Sequence, residues 1–293
     1  MAIRFDGKSY AARQEQLLAQ QVEELRSAGK KVVVHTCTFK EDAGSALYTK
    51  LKQQAAERIG IDYVPTSVSC ADPTNQILEL IQASSTNPDV TGVMVQKPSK
   101  HVWMEQTGKD DIAFANWWES LCTAIDPRKD VDCLTKTNLN AIDEATKDNI
   151  PSLLPATVMA CLEILSQAQR QLQIEDAEWN NKPILVIGRS AIVGKPLSKL
   201  LSLEGHQVTN LGKDLSSLDA SQFPILISAV GVPGLITGEH IAEGSVVIDV
   251  GSPSGDVDPE AVATKASFYT PVPGGVGPVT ISCLLENCIQ IAQ

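Results

Sequence analysis

Two regions of this 293-residue chain carry side chains whose types and spacing suit chemistry. In the second half, the apolar run Pro183-Ile-Leu-Val-Ile187 leads straight into Gly188-Arg-Ser-Ala-Ile-Val-Gly194-Lys-Pro196. Glycines let a backbone approach a pyrophosphate, and proline suits the first turn of a helix whose N–H groups face an anion. A tight strand-to-helix turn without a ligand would use the same residues. A P-loop would not: five residues separate Gly188 from Gly194 where a P-loop needs four, and Pro196 stands where Ser or Thr would meet magnesium. Arg189 and Ser190 lie at the rim of the turn, where a guanidinium forks onto phosphate, so NADP is expected ahead of NAD. After the next strand, where an acid would grip the ribose of NAD, the chain reads Leu211-Gly-Lys213-Asp214; Lys213 favours a 2′-phosphate and Asp214 opposes one. Val193, Gly231 and Gly251 complete the candidate cofactor set of Gly188, Arg189, Ser190, Gly194, Pro196 and Lys213. In the first half, Tyr48 and Lys52 are four apart on an expected helix and so face one way. On their own they read more readily as an exposed tyrosine beside a solvated lysine. Short-chain dehydrogenases also carry Tyr-x-x-x-Lys, but there it follows the nucleotide-binding turn, whereas here it precedes it.

The elements that must position these residues follow from periodicity. Leu18, Val22 and Leu25 have helical spacing within 11–28, and Gly29 stops that helix before the β-branched run Lys31–His35. The pattern repeats as a helix over 46–59 closed by Gly60, a strand over 61–68, a helix over 75–83 and a strand over 90–96. Alternation of this kind predicts parallel strands covered by helices. Residues 100–126, with Trp103, Trp117 and Trp118, read as a helix plus a mobile loop. A helix from Pro155 to about Leu172 opens a second block, with strands expected at 183–187, 206–211, 224–230, 245–250 and 267–270, the order of a dinucleotide-binding sheet. The fold class is therefore α/β in two domains. The boundary falls near 154, giving 1–153 plus the final helix 279–293 as one domain and 154–278 as the other.

Composition narrows the function. A net charge of −11 argues against a nucleic-acid surface, which needs clustered Lys and Arg. No apolar run reads as a signal peptide or membrane span, so a cytoplasmic protein is expected. The seven cysteines form no Cys-x-x-Cys pair, and their odd number fits a reducing compartment. The four histidines, at 35, 101, 206 and 240, lack metal-ligand spacing, so no metal site is expected.

The turn at 188–196, joined to Tyr269-Thr-Pro-Val-Pro-Gly-Gly-Val-Gly-Pro278, closely resembles the bifunctional methylenetetrahydrofolate dehydrogenase/cyclohydrolase family. The resemblance also takes in Asp6-Gly-Lys8, Ser45-x-x-Tyr48-x-x-x-Lys52, Gly92-Val-Met-Val-Gln96, Lys129-Asp-Val-Asp132, Ile248-Asp-Val-Gly251 and Gly255-Asp-Val257, in order along nearly the whole chain. It implies a folate-binding catalytic domain and a Rossmann-like domain flanking a cleft, a final helix returning to the first domain, and a homodimer. It further implies NADP-dependent oxidation of 5,10-methylenetetrahydrofolate and hydrolysis of the methenyl product to the 10-formyl form.

By the same resemblance the catalytic residues are Tyr48, Lys52, Gln96 and Asp132. Hydride transfer needs no side-chain base, only two carbons held in contact. Hydrolysis needs a proton carrier, for which a partly desolvated Lys52 is the candidate, with Gln96 orienting it. Asp132 is matched to the amino-pyrimidine edge of a pterin, and Tyr48 to the aminobenzoyl ring. Pro273, Gly274 and Gly275 are expected where backbone clears the substrate. The chain departs from the family at Lys97-Pro-Ser-Lys100, usually Leu-Pro-Leu-Pro, at Cys133, usually Gly, and in lacking the His-Ser after the second Rossmann strand. Lys97 and Lys100 are candidates to bind the substrate's anionic glutamate tail. A dehydrogenase with weak hydrolysis and a catalytically silent folate or nucleotide binder stay open beside the two-activity enzyme; a buried Lys52 separates them from a solvated one.

Overall fold

The computed structural model describes residues 2–216 and 218–293. In chain order the elements are β1 (Ile3–Arg4), α1 (Gly7–Ser27), β2 (Val33–Phe39), α2 (Ala43–Ile59), β3 (Asp62–Val68), α3 (Thr74–Thr86), β4 (Gly92–Val95), α4 (Lys100–Thr107), α5 (Asp111–Thr123), α6 (Lys136–Asp143), α7 (Ala156–Leu172), α8 (Asp176–Asn180), β5 (Ile184–Ile187), α9 (Gly194–Leu203), β6 (Val208–Leu211), β7 (Ile225–Ser228), β8 (Val246–Asp249), α10 (Pro259–Lys265), β9 (Phe268–Tyr269) and α11 (Val276–Ala292). Contacts divide them into two compact units, Arg13–Asn138 with Leu284–Gln293, and Leu139–Cys283 with residues 1–12.

The unit containing Arg13–Asn138 is built on a parallel sheet ordered β3-β2-β4. Its central strand alternates: Cys37 and Phe39 enter a core with Ile77, Ile81, Val93, Val95 and Leu121, while Val34 and Thr36 are buried on the opposite face. α2 has defined ends. Asp42 accepts the Ser45 N–H at its start, and Gly60, at φ 87°, supplies the left-handed residue that stops it. Along α2 the buried positions Ser45, Thr49, Lys52, Ala56 and Ile59 step by four, three, four and three, so Lys52 lies in the helix's inward stripe.

Residues 100–126 are two helices where the sequence reading placed one helix and a mobile loop. Gly108 ends α4 in a left-handed turn, and the Asp110 carboxylate accepts the Ala113 N–H to start α5. The aromatic side chains hold the pair in place: Trp103 and Trp117 lie 5.2 Å apart between centroids, with Phe39 5.2 Å from Trp117 and Phe114 5.4 Å from Trp103.

The other unit holds a six-stranded parallel sheet ordered β1-β9-β8-β7-β5-β6. Strands β5 to β9 appear where the sequence reading placed them, and β1 adds an unpredicted edge, Ile3 pairing with Phe268 and Arg4 with Tyr269. Two residues give too little periodicity to declare a strand. Contacts thus group residues 1–12 and 139–153 with this sheet, and the last ten residues of the chain with β2–β4. The chain runs outward from β5 to β6 on one side and from β7 to β9 on the other, so β5 and β7 flank a switch in strand order. Loops leaving the carboxyl ends of such strands are where open α/β sheets bind ligands. Among the described residues no helix is long and apolar enough to cross a membrane.

Candidate active site

Four of the sequence-predicted residues converge within the first of these units. Lys52 is only 8% exposed, and its Nζ donates to Gln96 Oε1 at 2.9 Å and approaches Met94 Sδ at 3.4 Å. Burial pulls its pKa below the usual lysine range, and the Asp132 charge works against that pull. Asp132 responds in the opposite sense: burial pushes its carboxyl up, while Lys52 lowers it and Asp130 raises it. Tyr48 stands one turn before Lys52 on α2, half-buried at the edge of the inward stripe. The helix thus presents an amine beside an amide and a carboxylate, with an aromatic ring one turn away.

The turn carrying Asp132 is shaped by a residue that motif reading leaves without a role. Asp130, fully buried, accepts the Leu134 and Thr135 N–H groups at 3.0 and 2.8 Å and the Asn138 amide at 2.9 Å. That network holds Cys133 at φ 55°, a left-handed conformation costing about 1–2 kcal/mol for a residue with a Cβ. Asn287 of α11 fixes the neighbouring Val131 carbonyl at 2.9 Å. Acidic residues in turns are common, so Asp130 offered no distinguishing signal. Lys97 lies over the rings of Trp118 and Phe114, 5.2 and 5.6 Å from their centroids, and Lys100 pairs with Asp111 at 2.5 Å.

In the other unit the candidate cofactor residues gather at the switch in strand order. Gly188 leaves β5 at φ 130°, where a Cβ would meet the Ala229 carbonyl oxygen at 2.5 Å, and a Cβ on Gly194 would meet the Gly188 oxygen at 1.9 Å. Both positions demand glycine to close the turn. Ser190 Oγ accepts the Val193 and Gly194 N–H groups at 3.1 and 3.3 Å, capping α9 from within the turn, and Pro196 is buried in the helix's first turn. Arg189 is exposed, with Nη2 donating to the Asn210 carbonyl at 3.1 Å, so it lies over the end of β6. Lys213 is exposed nearby in sequence. Asp214 accepts the Ser216 N–H at 3.0 Å, a bond that favours its ionised form.

Gly231 and Gly251 are joined through two buried carboxylates. Asp256 accepts Ser228 Oγ and the Val230, Gly231 and Val232 N–H groups at 2.9–3.3 Å. Asp249 accepts the Gly251, Asp256 and Val257 N–H groups at 2.8–3.0 Å. These two residues explain the Asp-Val-Gly and Gly-Asp-Val motifs as loop scaffolds. Asn210 is a further residue missed in the sequence; its amide donates to the Val186 and Gly188 carbonyls at 3.1 and 2.8 Å, tying the turn to β6. In the mixed strand Val208-Thr-Asn-Leu211 nothing distinguished its amide from an exposed one. The Pro273-Gly274-Gly275 stretch also belongs to this unit: Gly274 sits at φ 102°, and the Gly275 oxygen is packed so tightly on Gly7 that a Cβ there would come within 1.9 Å. Among the described residues no three His, Cys, Asp or Glu side chains form a group able to hold a metal.

Comparison with known families shows where the chain belongs. The catalytic domain of the tetrahydrofolate dehydrogenase/cyclohydrolase family matches residues 5–132, and its NAD(P)-binding domain matches 155–293. The chain belongs to this family. Bifunctional FolD proteins of Exiguobacterium sp. and Agathobacter rectalis are 35% and 32% identical to it, with at least 99% of each chain covered. Among solved structures, the bifunctional FolD of Campylobacter jejuni superposes with a TM-score of 0.82 at 30% identity, covering 98% of this chain and 97% of its own. The Trypanosoma brucei dehydrogenase-cyclohydrolase, solved with NADP and an inhibitor, gives 0.84 at 27%, covering 99% and 97%. The tetrahydrofolate dehydrogenase/cyclohydrolase resemblance drawn from motifs is therefore correct, as is the two-domain α/β fold with parallel sheets. The catalytic-domain match ends at Asp132, in the turn that the Asp130 network shapes.

Proposed function

We propose that this chain oxidises 5,10-methylenetetrahydrofolate with NADP and hydrolyses the resulting methenyl cation to 10-formyltetrahydrofolate. The observation that carries the hydrolytic half is Lys52: a buried amine, bonded to Gln96 and electrostatically coupled to Asp132. A lysine so placed is neutral more often than a surface one, and its neutral form can take the proton of an attacking water. Gln96 holds the amine without titrating, Asp132 receives the pterin edge, and the Tyr48 ring packs on the aminobenzoyl group.

The residues at the strand switch fit a dinucleotide: two close-packed glycines, a helix start and an exposed guanidinium over the end of β6. Bound NADP supplies the hydride-accepting carbon. Gly188, Val193, Gly194 and Pro196 form the bed for its pyrophosphate, with Gly231 and Gly251 keeping adjacent loops clear, and Arg189 and Lys213 meet a 2′-phosphate. Ser190 contributes by shaping the turn. Pro273, Gly274 and Gly275 are assigned to backbone clearance for substrate, Gly274 at φ 102°. We assign the folate site to the segment before 154 with the final helix, and the dinucleotide site to 154–278.

We further place the enzyme in the cytoplasm and in a homodimer. Seven buried, unbridged cysteines support a reducing compartment. Exposed Val64 on the edge strand β3, with exposed Leu47 and Leu51 on α2, supports pairing of two copies. Replacing Lys52 with Met tests the central role: hydrolysis is lost while folate binding largely persists, and undiminished hydrolysis would remove Lys52 from the mechanism.

A further inference from the structure

Three contacts join α2 to the segment that leaves β4. Lys52 Nζ donates to Gln96 Oε1 at 2.9 Å, Ser45 Oγ to the Lys97 carbonyl at 3.2 Å, and the Ser99 N–H to Asp42 Oδ2 at 2.5 Å. Asp42 is buried, and its other oxygen, Oδ1, takes the Ser45 N–H at 3.1 Å. Helix capping accounts for that second bond alone. The bond to Ser99 reaches across to a different element, at a point where the outgoing chain has left the ladder: the last rung is Gln96 N–H to the Cys37 carbonyl at 2.9 Å, and Pro98 has no N–H to give. Asp42 and Ser45 therefore fix the main chain on the far side of Gln96, and the ladder fixes it on the near side.

We propose that Asp42 is a positioning residue for the hydrolytic step, gripping the Ser99 N–H so that the Gln96 amide stays on the Lys52 amine. The proposal rests on the reading of Lys52 and Gln96 as the hydrolytic pair. Its physical basis is leverage. The stem of Gln96 is flexible, and a main-chain shift of an ångström at residues 97–99 carries the amide away from Nζ, a displacement large enough to cost a catalytic step one to two orders of magnitude. Hydride transfer needs no proton carrier, so the oxidation is insulated from the same shift.

Asp42→Ser and Asp42→Asn separate this role from capping. Both residues cap helices as well as Asp does, yet neither offers two acceptor oxygens. Turnover of methylenetetrahydrofolate oxidation and of methenyltetrahydrofolate hydrolysis is measured on the same preparations, together with the substrate KM values. The expected result is a fall of roughly tenfold in hydrolytic kcat, with oxidation and both KM values within about twofold of the parent. Adding Asp42→Ser to Lys52→Met is expected to change hydrolysis no further, because the two residues act through one pair. Parallel loss of both activities, or unchanged hydrolysis in both Asp42 variants, would overturn the proposal while leaving Lys52 in place. Full hydrolysis by Lys52→Met would remove the pair itself, and the proposal with it.

Discussion

At the scale of single residues, the account turns on one buried amine. Desolvation is the larger influence on Lys52, and the Asp132 charge partly opposes it. If the neutral amine is the working form, hydrolysis rises with pH through this lowered pKa and levels off above it. Asp132 raises the lysine's pKa, so Asp132→Asn moves the rising limb to lower pH, whatever it does to the rate. The remaining neighbour, Cys288, is pushed up to about 12 by burial and stays a neutral thiol across that limb. A pH–rate profile of the two proteins checks the direction; a limb unmoved or moved upward contradicts it. Lys52→Met is expected to lower hydrolysis by at least ~100-fold, the usual worth of a proton carrier. Lys52 was legible as chemistry only through its motif, because a Tyr-x-x-x-Lys pair by itself suits a wet helix surface. Hydrophobic periodicity did not place it inside: the buried stripe that holds Lys52 includes the polar Ser45 and Thr49, while Leu47 and Leu51 of the same helix are exposed. Asp130 and Asn210 were not legible, since their work is to satisfy backbone groups that the sequence does not place.

At the scale of elements, the dinucleotide turn depends on backbone contacts below the range a Cβ tolerates. Gly194→Ala puts a methyl group against the Gly188 oxygen, so it is expected to abolish NADP binding while the protein still folds; calorimetric titration measures the loss. Asp256 matters in a different way. Its removal as Ala strands three N–H groups and the Ser228 hydroxyl, and urea denaturation is expected to register a loss of about 2–4 kcal/mol. A change below that range would mean the loops find other partners. The strands β5, β7 and β8 were readable because short, mainly apolar runs between turns suit a sheet buried on both faces. The two-residue β1 has no period to read. The paired helices α4 and α5 were half-seen: Trp103 lies too far in sequence from Phe114 and Trp117 for their contact to show, and the polar Gly108–Asp110 link looks like a loop although it caps one helix and starts the next.

At the scale of the whole molecule, the sequence supplied the family and the two-sheet plan, because the motifs at 48–52, 96, 132, 188–196 and 269–278 are distributed along the whole chain. The dimer is tested at this scale: Val64→Lys places a charge on the exposed edge strand, so light scattering is expected to find the parent at twice the chain mass and the variant at one. Cofactor choice is tested by turnover, where NADP is expected to exceed NAD by at least ~10-fold and Arg189→Ala to narrow the gap, since one lost phosphate clamp is worth ~1.5–3 kcal/mol. The most direct measurement of the central claim follows reduced nicotinamide and the methenyl chromophore separately as the protein meets methylenetetrahydrofolate and NADP. The account predicts reduced cofactor without methenyl accumulation, and decay of methenyltetrahydrofolate supplied alone. Accumulating methenyl product would leave a dehydrogenase without its second activity, and silence in both channels would contradict the enzyme altogether.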